Sequence, residues 1–140
     1  MIKKRIFKET GKVKFYGRKR ISFPKPPKPQ RKKSYWKRKA DTLMSKFIRN
    51  LDHCERDGEI KNLQAAHIYS RSNLRLRYEI ANILCLCSRC HFWAHKNPVL
   101  FTEWLQIDYP ERLEYLRQHK DEIKKMTIDD YKEVIRKLNN

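Results

Sequence analysis

Three histidines in the middle of the chain, His67, His91 and His95, have the types and spacing that metal-dependent hydrolysis needs. His91 and His95 are four residues apart, so on a helix their side chains share one face and can reach one cation. His67 follows the small Ala66 on a predicted strand and could face that cation. A neutral imidazole that deprotonates water, beside an ion that neutralises phosphate oxygens, is the set that phosphodiester hydrolysis requires. One such histidine alone is typical of a core or capped residue, but the three together favour catalysis.

A second group of side chains has the spacing of a structural zinc site. Cys87 and Cys90 form a C-x-x-C knuckle, and Cys54 begins another in which Asp57 stands where a second cysteine is expected. Cysteines spaced in this way in the cytoplasm are more often metal ligands than disulfide partners. Zinc accepts a carboxylate oxygen, so we expect Cys54, Asp57, Cys87 and Cys90 to hold Zn²⁺.

Two further side chains are alternatives for the fourth zinc ligand. His53 is the rival of Asp57, and Cys85 is a more remote choice. It also stays open that these are ordinary buried thiols that bind no metal.

The elements that must position these residues follow from periodicity and from breakers. Apolar residues at helical spacing predict a helix over Tyr35–Asn50. Strands are predicted over Leu63–Tyr69 and in a second piece that ends in Ile83–Leu86, and a helix from near Ser88 until Asn97-Pro98 stops it. The order strand, strand, helix therefore carries the three histidines.

Further helices are predicted toward the carboxyl end. They should begin at Asn97-Pro98, at Pro110 and at the capping-box-like Thr127-Ile-Asp-Asp130. We expect them to complete the core of an α+β fold.

The charge is concentrated in the first third of the chain. The net charge is +18, and residues 1–50 hold nineteen of the 34 Lys/Arg but only two of the 16 acidic residues. Residues 1–34 also contain four prolines and no sustained apolar period, so we expect an extended basic arm, with at most weak strand character near Val13–Tyr16. Such an arm favours a polyanion, with nucleic acid as the first candidate. The DNA contacts expected in the arm and the first helix are Arg31, Lys32, Lys33, Lys37, Arg38, Lys39 and Lys46.

We therefore expect a nucleic-acid-binding arm over residues 1–34, a core with both sites over 35–107, and C-terminal helices over 108–140. The first residues lack the apolar run of a signal peptide, and no segment approaches the length of a membrane span. A cytoplasmic protein that does not bind membranes is expected.

Taken together, these segments resemble the HNH, or ββα-metal, endonuclease superfamily. The matching pieces are Cys54-Glu-Arg-Asp57, Leu63-Gln-Ala-Ala-His67-Ile68, Ser70-Arg71, Arg77-Tyr-Glu-Ile-Ala-Asn82 and Leu86-Cys-Ser-Arg-Cys-His91-Phe-Trp-Ala-His95-Lys-Asn-Pro98. Within the superfamily the chain is most similar to phage NinG/Rap-like recombination endonucleases and related phage HNH proteins. The similarity runs from Lys39 to Trp104, about half of the chain.

The resemblance implies a ββα-metal core and a role for each matching residue. His67 corresponds to the general base, and His91 and His95 correspond to ligands of a catalytic Mg²⁺ or Mn²⁺. Asn82 corresponds to the asparagine that holds the strand-loop geometry and in some members touches the metal. Arg71 and Arg77 look placed to hold phosphates or the transition state.

One position departs from the family pattern. Many relatives place Asp or His immediately before the base as a further metal ligand, and here that residue is Ala66. The ion would then rest on His91, His95, water and a DNA phosphate.

The expected function is hydrolysis of DNA phosphodiester bonds that leaves 5′-phosphate and 3′-hydroxyl ends, in phage recombination or in processing of branched DNA. Two alternatives stay open: a non-catalytic zinc-containing nucleic-acid-binding protein, and a homing or host-defence HNH nuclease. Whether the preferred DNA is duplex or branched, and whether a homodimer forms, is also left open.

Overall fold

The computed structural model describes the backbone of residues 14–16 and 19–21 and the chain over residues 30–139. The chain divides into two units between Arg31 and Lys32. In the first unit, strands β1 (Lys14–Tyr16) and β2 (Lys19–Ile21) pair antiparallel. The strand character expected near Val13–Tyr16 is confirmed by β1, whereas β2 was not expected. The other residues of the expected arm up to residue 29 lie outside the described residues.

The second unit holds five helices and one two-stranded sheet among its described residues. They are α1 (Lys33–Arg49), β3 (Leu63–His67), a 3-10 turn (Ile80–Asn82), β4 (Ile83–Cys87), α2 (Ser88–Lys96), α3 (Pro98–Asp108), α4 (Pro110–His119) and α5 (Ile128–Leu138). The α+β class is therefore confirmed. Strand β3 ends at His67, two residues before its predicted end.

Strands β3 and β4 form the layer between helices. They pair antiparallel with Leu63 opposite Cys87, Ala65 opposite Cys85 and His67 opposite Ile83. Because side chains alternate across a strand, one face packs on α1 and the other on α2 and α3. All five residues of β4 are buried, as expected for a strand covered on both faces.

Two apolar clusters cover the two faces of this sheet. On the α1 face, Ile83 and Cys85 pack against Met44 and Ile48. On the other face, the cluster comprises Cys54, Ala66, Leu84, Leu86, Cys87, Cys90, Ala94, Leu105 and Leu113. The segments that carry the thiols and the histidines are thus anchored on a packed core.

The predicted signals for the C-terminal helices are confirmed. Pro98 and Pro110 lie in the first turns of α3 and α4, where a missing N–H costs no hydrogen bond. Thr127 and Asp130 form a reciprocal capping box at the start of α5. Helix α5 then packs on α1, with Tyr131 and Ile135 beside Ala40. Among the described residues, no helix is both long and apolar enough to cross a membrane.

Candidate metal centre and catalytic site

Three thiols and one carboxylate come together where the loop before β3 meets the start of α2. Ligand atoms of Cys54, Asp57, Cys87 and Cys90 all lie within 4.8 Å of one another. Tetrahedral zinc with Zn–S bonds of about 2.3 Å holds its ligands roughly 3 to 4 Å apart, so this donor set fits the ion. The expected cluster is therefore formed by the fold, and it suits a structural metal because four protein ligands fill a tetrahedral shell.

Local backbone geometry explains how the cluster forms. Gly58 has a φ of 73°, and its N–H donates to the carbonyl of Cys54, which closes the first knuckle. A positive φ is easiest for glycine, so this turn needs that residue. At the second knuckle, Cys87 precedes the first turn of α2, and its Sγ accepts the N–H of Cys90 at 3.4 Å. All three cysteines are buried, whereas Asp57 approaches from the exposed edge.

Two arginines surround the cluster. Arg89 donates to Asp57 Oδ2 at 2.8 Å and holds the pKa of that carboxyl far below its usual range. Arg56 stacks 3.6 Å from the ring centroid of Trp93 and donates to Cys90 Sγ at 3.5 Å. Burial raises the pKa of Cys90 to about 12, so a metal that binds there must displace its proton. Because its own pKa is lowered, Asp57 carries an ionised carboxylate, which is the form that binds a metal.

The two alternative ligands lie elsewhere. His53 is exposed, and its Nδ1 lies 2.7 Å from the carbonyl oxygen of Leu51. Cys85 is buried on the α1 face of the sheet with Met44 and Ile48, and burial raises its pKa to about 11. Neither belongs to the four-ligand group.

A half-buried ion pair that the sequence reasoning missed ties the knuckle to the sheet. The backbone N–H of Glu55 donates to the carbonyl of Cys85, and Glu55 Oε2 accepts the Cys85 N–H at 2.6 Å. Glu55 Oε1 accepts from Arg112 at 3.0 Å, and Arg112 also donates to the carbonyls of Ile80, Ala81 and Ile83. Fifty-seven positions separate Glu55 from Arg112, so no local pattern could have indicated this pair.

His91 and His95 form a close pair on α2. Their Nε2 atoms are 3.1 Å apart, and their ring centroids are 4.8 Å apart. Two imidazole ligands at about 2.1 Å from one ion stand roughly 3 Å apart, so the pair fits a shared cation. The expected juxtaposition of these two residues on one helical face is therefore present in the structure.

Gln64 on β3 is a third participant that sequence reasoning missed. Its Oε1 lies 2.7 Å from His91 Nδ1. An amide oxygen only accepts, so Nδ1 carries the ring proton and Nε2 keeps the lone pair that a metal needs. Gln64 and Ala66 lie two positions apart on β3, so both side chains are on the face toward α2. This alternation was the signal from which the placement of Gln64 near His91 could have been predicted.

His67 occupies the end of β3 on the α1 side of the sheet. Its Nε2 lies 3.1 Å from the carbonyl oxygen of Arg77. Since a carbonyl only accepts, Nε2 is protonated and Nδ1 carries the lone pair, and no described residue forms a hydrogen bond with Nδ1. Burial, assisted by the nearby Arg71 and Arg77, lowers the pKa of His67, although the carbonyl bond opposes this shift. The neutral tautomer that a base requires is thus favoured.

The positive charge of Arg71 acts on both His67 and His91. After burial, its positive charge is among the causes that lower the pKa of both His67 and His91. It is exposed and lines a pocket of about 50 Å³ with His67. It is therefore accessible to an anion, and its contact with a phosphate stays a prediction.

Arg77 does not fit the expected phosphate contact. It is 6 % exposed, and its guanidinium donates to both carboxylate oxygens of Asp41 and to the carbonyl of Arg71. Those bonds commit its donors to the protein, so the expectation is corrected to a structural role.

Asn82 also needs a correction from catalytic to positioning residue. It is fully buried, and its Oδ1 accepts the Tyr69 N–H while its Nδ2 donates to the carbonyls of Tyr69 and Leu76. With these bonds the side chain holds the two ends of the loop between β3 and β4. All three hydrogen bonds of its side chain go to backbone atoms, as expected for a residue that holds the strand-loop geometry.

The remaining expected DNA contacts lie on or beside α1. Lys32 is the N-cap residue of α1 and Lys33 its first residue. Arg38, Lys39 and Lys46 are exposed and Lys37 is half-buried, whereas Arg31 precedes the helix. Ala66 is buried in the core with Leu84, and its methyl side chain offers no metal ligand.

Comparison of the chain with protein-family models, with curated proteins and with solved structures found no match in any of the three.

Proposed function

We propose that this protein is a metal-dependent DNA endonuclease that hydrolyses phosphodiester bonds, built on an HNH-like ββα unit with a structural zinc. The observation that carries the proposal is the pair His91 and His95, with Nε2 atoms 3.1 Å apart on α2. This helix directly follows β4, the strand that pairs with β3, and His67 is the last residue of β3. Mg²⁺ or Mn²⁺ bound by this pair would supply a positive charge for phosphate oxygens.

The other residues have assignable tasks in such a reaction. His67 would accept a proton from water at Nδ1, since Nε2 is engaged with a backbone carbonyl. Arg71 would hold a phosphate oxygen, since it is exposed and close to both histidine groups. The basic arm and α1 would bind the DNA backbone. Phage recombination or processing of branched DNA is the task suggested by the resemblance.

The test is cleavage of labelled plasmid, single-stranded and four-way-junction DNA with Mg²⁺ or Mn²⁺. We expect cutting by the wild type and a loss of at least about 100-fold in His67→Ala, because proton transfer typically contributes 10²- to 10⁴-fold. His119→Ala is the matched control, since among the described residues His119 bonds within α4 and to Glu122. Equal zinc content and equal DNA affinity in all three proteins would assign the loss to chemistry.

A non-catalytic zinc-containing nucleic-acid-binding protein is the second candidate. The buried Ala66 favours it, because among the described residues the expected ligands of the second ion are then His91 and His95 alone. In that case wild type and His67→Ala would bind DNA equally and neither would cut. A homing or host-defence nuclease would instead cut one extended sequence, which mapping of cleavage sites would show.

A further inference from the structure

The buried Arg77 joins three parts of the candidate site. Its Nε and one terminal nitrogen donate to Asp41 Oδ1 and Oδ2 at 3.0 and 2.8 Å, a two-pronged ion pair with α1. Its other terminal nitrogen donates to the carbonyl of Arg71 at 2.5 Å. Its own carbonyl accepts from His67 Nε2 at 3.1 Å. One residue therefore contacts α1, the loop at Arg71 and the imidazole at the end of β3.

Tyr78 completes this arrangement. Its hydroxyl donates to Asp41 Oδ1 at 2.8 Å and lies 3.3 Å from Arg77 Nε. Burial and the hydrogen bond to Asp41 raise the pKa of Tyr78, so the phenol stays protonated. Among the described residues, no buried side-chain polar atom lacks a partner, so the network is fully satisfied. A satisfied buried network of this kind is rigid.

We infer that Asp41 and Arg77 are positioning residues that fix the tautomer of His67 and the placement of Arg71, so that the basic helix α1 sets the geometry of the base. This inference rests on the proposed function for the meaning of that geometry, but the contacts it concerns are independent of any bound metal. The Arg77 side chain holds residue 77 in place, which keeps its carbonyl against His67 Nε2. The same side chain holds the backbone at Arg71, whose guanidinium would meet a phosphate.

The alternative is that the ion pair only stabilises the fold. A buried pair of this kind is weak evidence of net stabilisation, because the desolvation of two charges offsets their attraction. A purely structural role predicts lower stability without any change at His67. A direct measurement of the tautomer of the His67 imidazole therefore separates the two roles.

The test uses the full chain with its metal and nitrogen-15 NMR of the His67 ring. Arg77→Lys keeps the charge but loses the two-pronged geometry, and Asp41→Asn keeps the shape but loses the charge. We expect the wild type to show the form protonated at Nε2, and both variants to show a mixture of the two tautomers. In a cleavage assay kcat should fall about 10- to 100-fold with less than a threefold change in KM, since small displacements of a catalytic group have effects of this size.

Arg75→Lys is the matched control, because Arg75 lies in the same loop and pairs with Glu79 and Glu122 instead. It should leave the His67 ring signals and kcat unchanged. Should either Arg77→Lys or Asp41→Asn fail to fold, the other variant and Tyr78→Phe provide the same reading.

The inference is overturned if folded variants keep the wild-type tautomer, or if Arg75→Lys perturbs His67 equally. If the wild type cuts no DNA, the proposed function fails, while the NMR result still decides whether Asp41 and Arg77 position His67.

Discussion

At the scale of single residues, the fold determines which cysteines lie close enough together to bind one metal ion. Cys90 belongs to the four-ligand group, whereas Cys85, five positions earlier, faces α1. Both are buried and both have a raised pKa, so their chemistry is alike in the absence of metal. Only their placement distinguishes the candidate ligand Cys90 from the core residue Cys85.

This distinction predicts different outcomes for two equivalent substitutions. Cys90→Ala should reduce bound zinc from about one ion per chain to almost none, and lower stability by a large part of the roughly 10 kcal/mol that structural zinc contributes in small domains. Cys85→Ala should keep the zinc and cost about 1 kcal/mol. Metal analysis and urea unfolding would measure both, and equal zinc loss in the two variants would contradict the assigned cluster.

The contact of Gln64 with His91 predicts a measurable effect on the proposed second metal site. Gln64→Ala should weaken Mn²⁺ binding at His91 and His95 about 10- to 100-fold, because an outer partner of a ligating histidine contributes that much to affinity. Mn²⁺ titration followed by line broadening of the histidine signals gives the affinity. Gln118→Ala on α4 is the matched control and should bind Mn²⁺ as the wild type does. An unchanged affinity in Gln64→Ala would remove Gln64 from the site.

The lowered pKa of His67 sets the expected pH dependence of cleavage. As a general base His67 would work when neutral, so we expect activity to be lost as pH falls through its pKa in the free enzyme. Burial places that pKa below the ordinary value of 6.5. At saturating metal, the acid limb of kcat/KM should therefore have its midpoint below pH 6.5. A midpoint above this value would mean that another group or an ionised partner controls the rate.

At the scale of elements, α1 combines two tasks on its two sides. Ala40, Met44 and Ile48 pack inward, while Arg38 and Lys46 are exposed. The same helix supplies Asp41 to the network around His67. If α1 binds the phosphate backbone of DNA while its Asp41 positions His67, the helix would align the DNA with the general base.

The exposed charges of α1 predict a specific loss of DNA affinity. Arg38→Gln with Lys46→Gln should weaken binding and reduce the salt slope by up to about 1.8, since each phosphate contact on duplex DNA contributes about 0.9. Arg136→Gln with Lys137→Gln on α5 removes the same charge from another surface. Salt-dependent binding of labelled DNA would compare them, and equal losses would indicate a nonspecific effect of net charge.

At the scale of the whole molecule, most of the excess charge lies in residues 1–31, which carry a net charge of +11, while residues 32–140 carry +7. The division between Arg31 and Lys32 leaves the candidate zinc ligands, the three histidines and the network of Arg77 in the second unit. We therefore expect that DNA affinity can be changed without changing the candidate metal and catalytic sites.

Removal of residues 1–31 should weaken DNA binding and flatten its salt dependence, because most of the excess charge is lost. Zinc content should be unchanged, since all four candidate ligands remain. Binding isotherms at several salt concentrations, with metal analysis of the same samples, would measure both. An equal affinity before and after truncation would defeat the predicted role of the arm.

The sequence by itself determined the local structure and the candidate side chains of this protein. Hydrophobic periods and proline or Thr-Asp caps act within a few residues, so α1, β4 and the starts of α3 to α5 could be placed from the chain alone. The pairing of His91 with His95 followed from the helical repeat, and Cys54, Asp57, Cys87 and Cys90 followed from knuckle spacing.

Only the tertiary structure decided which of these side chains are free to act. Arg71 and Arg77 look alike in the sequence, yet Asp41 from α1 buries one of them as a structural partner. Gln64 and Arg112 gained their roles through contacts 27 to 57 positions away. Such contacts depend on how strands and helices pack, and the cost of an unpaired buried charge then selects partners that no local pattern contains.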